Sequence, residues 1–415
     1  MTFADQLINS LARDVGHIFS VPGRTVFPFL RSVSQSPLQD IICASETGAG
    51  FMAEGYAKAS NKYGVAIIVA GVGFSNIFPS ITNAYYDNTK VLFIVGTAET
   101  FHGGRNIFQD SSVHQLNNHN ISSALTSYSC LMNTSDHMNH YSNSMFNLKH
   151  KSMPVLMNIP IDVQTSKVSE LPKVKNVNHS LLNQDALKHI IDTLQKYSIL
   201  LVVGNRANDA KVAINQFCEK YFIISAATLC AKGIIDEWQD NYLGVFGFGM
   251  SPRVFEFMTT TTPEYIITIG MDINERNTYQ WSSFTQRIIH IDDEINHNSR
   301  DHYLMSDGYI SNINILFNEL LSTCELEQDL LASLNTRKKY IDNLQTPAII
   351  ATPHEDSRLY VDDVLHTVNS FYSKNTSFVT DSGLHRLYCA QILRLAHSSR
   401  YYSSVNNGHM GWAIA

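Results

Sequence analysis

Five short runs of near-continuous apolar residues set the terms on which this chain can fold: residues 65–70, 91–96, 155–159, 199–203 and 265–270. Each is the length of a strand. A strand apolar on both sides must be covered on both faces, the signature of a parallel sheet crossed by helices. Helical patterns do separate these runs. The expected fold class is therefore α/β, built from doubly wound parallel-sheet domains.

Around these runs the pattern is regular. Thr2 can cap a helix whose apolar face is Phe3, Leu7, Ile8 and Leu11. Strands are expected at 17–21 and 40–44, with helices from 46 to 60 and from the Gly71-Val72-Gly73 turn to about residue 86. The polar stretch 165–182 reads as a linker. A second α/β unit adds a helix at 207–221 and strands at 222–226 and 287–292. A helix-rich connector covers 309–346, and 346–357 reads as a second linker. A third unit opens with helix 359–372, strand 376–380 and helix 384–395. The domain boundaries drawn from this are 1–165, 183–325 and 350–415.

Composition excludes several classes. At 44% hydrophobic residues the chain is not disordered, and a net charge of −7 is unlike the basic face of an electrostatic nucleic-acid binder. No apolar run approaches the roughly 18 residues of a membrane span. The first residues lack a basic stretch followed by an apolar core, so no signal peptide is expected. Cysteines 43, 130, 218, 230, 324 and 389 lie far apart without a Cys-x-x-Cys. They read as thiols of a reducing compartment, and the expected location is cytoplasmic. The chain ends at Gly411-Trp412-Ala413-Ile414-Ala415, in an apolar, helix-like segment with no stop signal.

Three kinds of residue could carry chemistry. Glu46 stands where a strand meets a helix, and ligands of doubly wound sheets sit at the carboxyl ends of strands. The bland alternative is a solvated first-turn carboxylate favoured by the helix dipole. The following helix carries Gly48, Ala49, Ala53, Gly55 and Ala57, small residues that suit a tight helix or subunit contact. Glycine turns follow strands at Pro22-Gly23, Gly71-Val72-Gly73, Gly96, Gly204 and Gly270. None completes a dinucleotide fingerprint, and Gly247-Phe248-Gly249 reads as having no suitable strand before it. The histidines make no zinc motif, so no metal ligands are assigned.

Taken in order, several segments resemble the thiamine-diphosphate-dependent enzymes of the acetolactate synthase, pyruvate oxidase and benzoylformate decarboxylase type. Ser45-Glu46-Thr47-Gly48-Ala49-Gly50-Phe51-Met52-Ala53-Glu54-Gly55-Tyr56-Ala57 resembles the family's His-Glu segment, with Ser45 where His is common. Gly71-Val72-Gly73-Phe74-Ser75-Asn76 is similar to its Gly-Pro-Gly turn, and Phe108-Gln109-Asp110 to its Phe-Gln-Glu. Asp381-Ser382-Gly383-Leu384-His385 and Gly408-His409-Met410-Gly411 resemble two motifs of its third domain.

The resemblance implies a pyrimidine-binding domain at 1–165, a central domain at 183–325 and the start of a diphosphate-binding domain at 350–415. It implies thiamine diphosphate as cofactor, with Glu46 bonded to the aminopyrimidine ring to promote its ionisation. Pro22, Gly23, Gly73 and Asn76 would shape that pocket. The Gly408 carbonyl would take an amino proton and Met410 would brace the cofactor. Ser382, Gly383, Leu384 and His385 would face the diphosphate at a helix N-terminus. His102, Phe108 and Gln109 would lie on the substrate side, Gln109 with a catalytic role. The implied reaction is decarboxylation of a 2-oxo acid, with or without carboligation, in a homodimer or tetramer. The Mg2+ ligands of the family are expected beyond Ala415. FAD is not expected, because the turns at Gly204, Gly249 and Gly270 match the family's flavin site poorly. A non-catalytic homologue acting as a binding or scaffold subunit is the alternative. A nucleotide-dependent enzyme using the second unit is the third reading.

Overall fold

Strand β3 (Gly64–Val69) shows how the first sheet is made: every residue is buried, with Val65 and Ile67 facing one helical layer and Ala66 and Ile68 the other. The computed structural model describes residues 1–174, 181–278, 286–293, 305–323, 333–347, 356, 358–372 and 375–415. Parts of both expected linkers and of the 309–346 connector, with Cys324, lie outside the described residues. The chain divides into two compact units, Met1–Val177 with Asn406–Ala415, and Asn178–Val405.

In the first unit, β1 (His17–Ser20), β2 (Gln39–Ile42), β3, β4 (Val91–Thr97), β5 (Tyr128–Leu131) and β6 (Val155–Pro160) form one parallel sheet in the order β2-β1-β3-β4-β6-β5. Helices α1 (Phe3–Leu11), α2 (Phe27–Ser34), α3 (Glu46–Ser60), α4 (Val72–Tyr86), α5 (Asn118–Ser123), α6 (His137–His150) and α7 (Ile161–Thr165) accompany it. On one face Phe3, Leu7, Phe29 and Met145 pack on Ile67 and Ile94; on the other Ala49, Ala53, Phe74 and Ile77 pack on Ile68 and Phe93. Thr2 caps α1 through a reciprocal pair with Asp5, at 3.2 and 2.9 Å.

The order places β2 and β3 on opposite sides of β1, so the sheet's switch point lies between β1 and β3. The turns that leave this crevice are Pro22-Gly23 and Gly71-Val72-Gly73, while α3 begins with Glu46 just after β2. The topology itself thus gathers these three segments at one edge.

The second unit has a sheet of β7 (Ile199–Val203), β8 (Ser225–Thr228), β9 (Tyr242–Phe246), β10 (Tyr265–Ile269), β11 (Arg287–Asp292) and β12 (Met305–Ile310), all parallel, in the order β12-β11-β10-β7-β8-β9. Its helices are α8 (Gln184–Lys196), α9 (Lys211–Tyr221), α10 (Pro252–Glu256), α11 (Ile313–Thr323) and α12 (Leu334–Asp342). Then follow α13 (Val361–Phe371), β13 (Ser377–Thr380), α14 (His385–Ile392) and β14 (Arg400–Ser403), with β13 and β14 paired in parallel.

Two expectations are corrected. The strand expected from residue 222 begins at Ser225, because Phe222 ends α9 in the left-handed region at φ 48° and Ile223 N–H closes the helix on the Cys218 carbonyl. A strand does precede Gly247-Phe248-Gly249; Gly244 interrupts the apolar run of β9 and hides it. The cysteines at 43, 130, 218 and 389 are buried, and burial pushes the Cys130 and Cys218 thiols up to about 12.

At the switch point of the second sheet, between β7 and β10, the turns leave no room. A Cβ on Gly204 would come 2.2 Å from the Gly270 carbonyl oxygen. Arg206 turns inward there and pairs with Asp272 and Asp292, all three being nearly buried. Burial opposes its charge, but the two carboxylates hold its pKa above the ordinary value. Burial works against Asp292 too, yet Arg206 and His290 hold its carboxyl below the usual range. Removing one member of such a cluster strands the others. Arg206→Met is therefore expected to cost about 3–5 kcal/mol, read as a lower urea midpoint for the second unit. Because the folded Asp292 pKa is depressed, its contribution is present above about pH 4 and fades below it, so the gap to wild type should narrow on acidification.

Candidate cofactor site

Glu46 owes its position to a cap. The Ser45 side chain accepts a hydrogen bond from Gly48 N–H at 3.1 Å, which starts α3 directly after β2 and makes Glu46 its first residue. The Glu46 side chain is buried, 9% exposed. From the first turns of α4, the Asn76 amide donates to Glu46 Oε2 at 3.1 Å. Thr47 Oγ1 in turn donates to the Asn76 carbonyl, and Ser80 Oγ to the Thr47 carbonyl at 2.8 Å. Two helix N-termini are thus stitched together around one carboxylate.

Glycines make the space. A Cβ on Gly73 would lie 2.9 Å from Val69 and 3.4 Å from Glu46 Oε1, and one on Gly23 would lie 2.4 Å from Val69 Cγ1. A Cβ on Gly50 would strike Ser80 at 2.4 Å. The small residues of α3 therefore serve α4 of the same chain at Gly50, whereas Gly55 has nothing within 4 Å. Beside Pro22 and Gly23 opens a groove of about 490 Å3, also lined by Phe27, Leu30 and an Arg24–Glu99 ion pair at 3.2 Å.

The structure brings Glu46, Gly73, Asn76, Pro22 and Gly23 to this edge. Gln109 joins them: it adopts the left-handed region at φ 59° and lies over Gly71, whose Cβ would meet it at 2.8 Å. Phe108 stands 87% exposed, and His102 packs on Phe101 with ring centroids 4.3 Å apart. Gly408 takes φ 74°, and Met410 is 79% exposed. His409, between them, reaches Thr82 Oγ1 at 3.3 Å and the Phe51 ring at 5.8 Å. Ser382, Gly383, Leu384 and His385 belong to the second unit. There Leu384 precedes α14 without a side-chain cap, Ser382 N–H donates to Asp381 Oδ1 at 2.8 Å, and a Cβ on Gly383 would meet the His385 ring at 2.7 Å.

One group of the site's frame escaped the sequence reading. Glu54 lies one turn beyond Gly50 on the same face of α3 and is fully buried. Its carboxylate receives Asn83 at 2.7 Å, Lys58 at 2.9 Å, Thr89 at 3.4 Å and Trp412 Nε1 at 3.1 Å. The Lys58 ammonium lies 4.8 Å from the Trp412 ring centroid. Burial drives the Glu54 pKa up, Lys58 pulls it back, and Asp87 adds to the rise. The available signal was the Glu54–Lys58 spacing of four on a helix rich in small residues.

These residues suit a flat, polar heterocycle with a ring nitrogen: a buried carboxylate for the nitrogen and glycine walls where no Cβ fits. Among the described residues, no group of three His, Cys, Asp or Glu side chains is placed to hold a metal ion.

Comparison with known proteins agrees. Residues 1–117 match the family described as thiamine pyrophosphate enzyme, N-terminal TPP binding domain, and residues 187–308 match the thiamine pyrophosphate enzyme central domain. The chain belongs to the thiamine pyrophosphate enzyme family. Among its relatives, an uncharacterised protein of Methanocaldococcus jannaschii is 28% identical over 284 residues, 67% of this chain and 54% of that protein. The acetolactate synthase of Arthrospira platensis is 25% identical over 100% of this chain and 74% of its own length. The acetolactate synthase large subunit of Lactococcus lactis is 23% identical, with 100% and 72% covered. The chain thus spans about half the length of the first relative and about three quarters of the two synthases.

Trp412→Phe keeps an aromatic side chain but loses the indole N–H that donates to Glu54. It is expected to cost about 1–3 kcal/mol, measured by urea unfolding of the first unit. The raised folded pKa of Glu54 means that its contribution is full below the unfolded value of about 4.3 and declines as pH climbs through the folded one. Glu54→Gln should remove that decline, seen as a flatter plot of melting temperature against pH.

Proposed function

We propose that this chain is an acetolactate-synthase-like enzyme that uses thiamine diphosphate to decarboxylate a 2-oxo acid, with or without carboligation. The observation that carries the reading is Glu46, buried at the β1/β3 switch-point edge, fixed by Asn76 and walled by Gly23 and Gly73. Family membership supports the cofactor, and the named synthases support the substrate class.

When bound, thiamine diphosphate supplies the electron sink for loss of CO2. The protein's part is to hold and ionise it. Glu46 shares a proton with the pyrimidine ring nitrogen, and its burial keeps water from competing for that bond. Asn76 occupies Oε2, which turns Oε1 towards Gly73 and fixes the direction from which the ring nitrogen approaches. Gly23 and Gly73 let the ring lie against the backbone. The Gly408 carbonyl would accept the amino proton, and Met410 would support the cofactor. Gly383, Leu384 and His385 would bind the diphosphate through N–H groups at the start of α14, with Ser382 beside them offering its hydroxyl. Gln109, beside Gly71, contacts the 2-oxo acid, with His102 and Phe108 around it. Mg2+ would offset the charge of the diphosphate, held by ligands other than these residues. The working assembly is a homodimer or tetramer in the cytoplasm.

The exposure of Met410 favours a second reading, a non-catalytic binding subunit. One experiment separates the two. Calorimetry with thiamine diphosphate and Mg2+ should show binding, and 2-oxo acids should be consumed. Glu46→Gln should lower turnover at least about 100-fold, the lower range for losing an acid–base group, while leaving the fold intact. Cofactor binding without turnover of any short 2-oxo acid selects the binding subunit. No binding at all overturns both.

A further inference from the structure

Arg253, on α10 of the second unit, is 9% exposed, and its Nε is buried with no hydrogen-bond partner. It lines a cavity together with Lys232, Glu237, Tyr242, Gln391 and Arg394. Lys232 and Glu237 satisfy one another. Lys232 Nζ donates to Glu237 at 2.6 Å and to the Leu393 carbonyl at 2.8 Å. Glu237 also receives Gly233 N–H and Leu395 N–H at 3.2 Å each, and the Tyr242 hydroxyl at 3.4 Å. Its capacity as an acceptor is spent.

The two guanidinium groups remain. Arg394 lies 5.3 Å from the Trp238 ring centroid. Among the described residues, neither Arg253 nor Arg394 has a carboxylate in ion-pair contact. Asp240 and Glu256 act on Arg253 only through space, and Glu256 is engaged by Gln345 N–H at 2.7 Å and Thr346 N–H at 2.8 Å. Burial, and then the charge of Arg394, hold Arg253 below its ordinary pKa; burial does the same to Arg394. Glu237 and Asp240 attract Arg394 from a distance, but burial outweighs them; a buried cation with no carboxylate in contact is costly, and two whose residues line one cavity call for an anion. Guanidinium groups match the oxygens of phosphate in paired hydrogen bonds. The enclosed space is about 30 Å3. At roughly 10–15 Å3 per water-sized group, it admits two oxygens and excludes a nucleobase.

We propose that Arg253 and Arg394 form an anion site for a phosphate-type group, which enters by two oxygens and keeps the rest of its carrier at the mouth. The site lies within the second unit and does not depend on the reading of Glu46. The source is either free phosphate or the end of a phosphorylated metabolite.

The test compares melting temperature and calorimetric binding in inorganic phosphate, in glycerol 3-phosphate and in chloride at equal ionic strength. Phosphate should raise the melting temperature of the 415-residue chain above the chloride control. Arg394→Met, whose residue is only half-buried, should weaken binding about tenfold or more, and Arg253→Met should abolish it. Without phosphate, Arg253→Met should melt no lower than wild type, because it removes an uncompensated charge. Tighter binding of glycerol 3-phosphate than of phosphate assigns the site to a metabolite headgroup; the reverse assigns it to the free ion. The proposal is overturned if neither anion outperforms chloride, or if both variants bind as wild type does. It is also overturned if Arg253→Met melts much lower in chloride and phosphate has no effect, which would make Arg253 a structural residue.

Discussion

A parallel sheet covered by helices on both faces is open to ligands only at its strand ends, and everything chemical in this chain follows from that constraint. The first sheet uses its carboxyl edge for access. At the β1/β3 switch point the side chains are removed, since Gly23 and Gly73 press on Val69 where no Cβ fits. One carboxylate, Glu46, is then brought over the gap by a serine cap and an asparagine from the neighbouring helix. The gap at this edge is built by subtraction of atoms as much as by their addition.

The second sheet has the same handedness and an equivalent switch point between β7 and β10, yet it treats that edge oppositely. Gly204 and Gly270 bring the turns together, and Arg206 fills the gap, bound to Asp272 and Asp292. The strong charges at this edge neutralise each other. Among the described residues, two cations without a carboxylate in contact lie elsewhere, at Arg253 and Arg394, between α10, the start of β9 and the last turn of α14. Two domains of like topology thus place their electrostatic demand at different points of the frame.

What was legible in the sequence divides along physical lines. Central strands read clearly, because burial on both faces forces runs such as those of β3, β4 and β7. The strands that escaped notice include β5, β9 and β12, all at sheet edges, where alternation is weaker or a glycine breaks the run. Local cues held as well: Thr2 caps α1, and Glu46 starts α3. The gathering of Pro22, Gly73 and Gln109 near Glu46 could be anticipated only through resemblance, since it depends on strand order and not on spacing. Glu54 was illegible for a different reason. Acidic residues on helices usually face water, and only the three-dimensional placement of Asn83, Thr89 and Trp412 shows why this one need not.

The stitching of α3 to α4 has a geometric consequence. Asn76 bonds Glu46, Ser80 bonds Thr47 and meets Gly50, and Asn83 bonds Glu54, so contacts recur at each turn along the pair. Such a ladder permits neither sliding nor rolling of one helix on the other. The last rung is seven residues beyond Asn76, about 10 Å along the helix at 1.5 Å per residue. The clearance between Glu46 and Gly73 is thus set at both ends of the pair, in the way a ruler is held true by clamping its far end. Trp412, which closes over the last rung, brings a segment distant in sequence into that calibration.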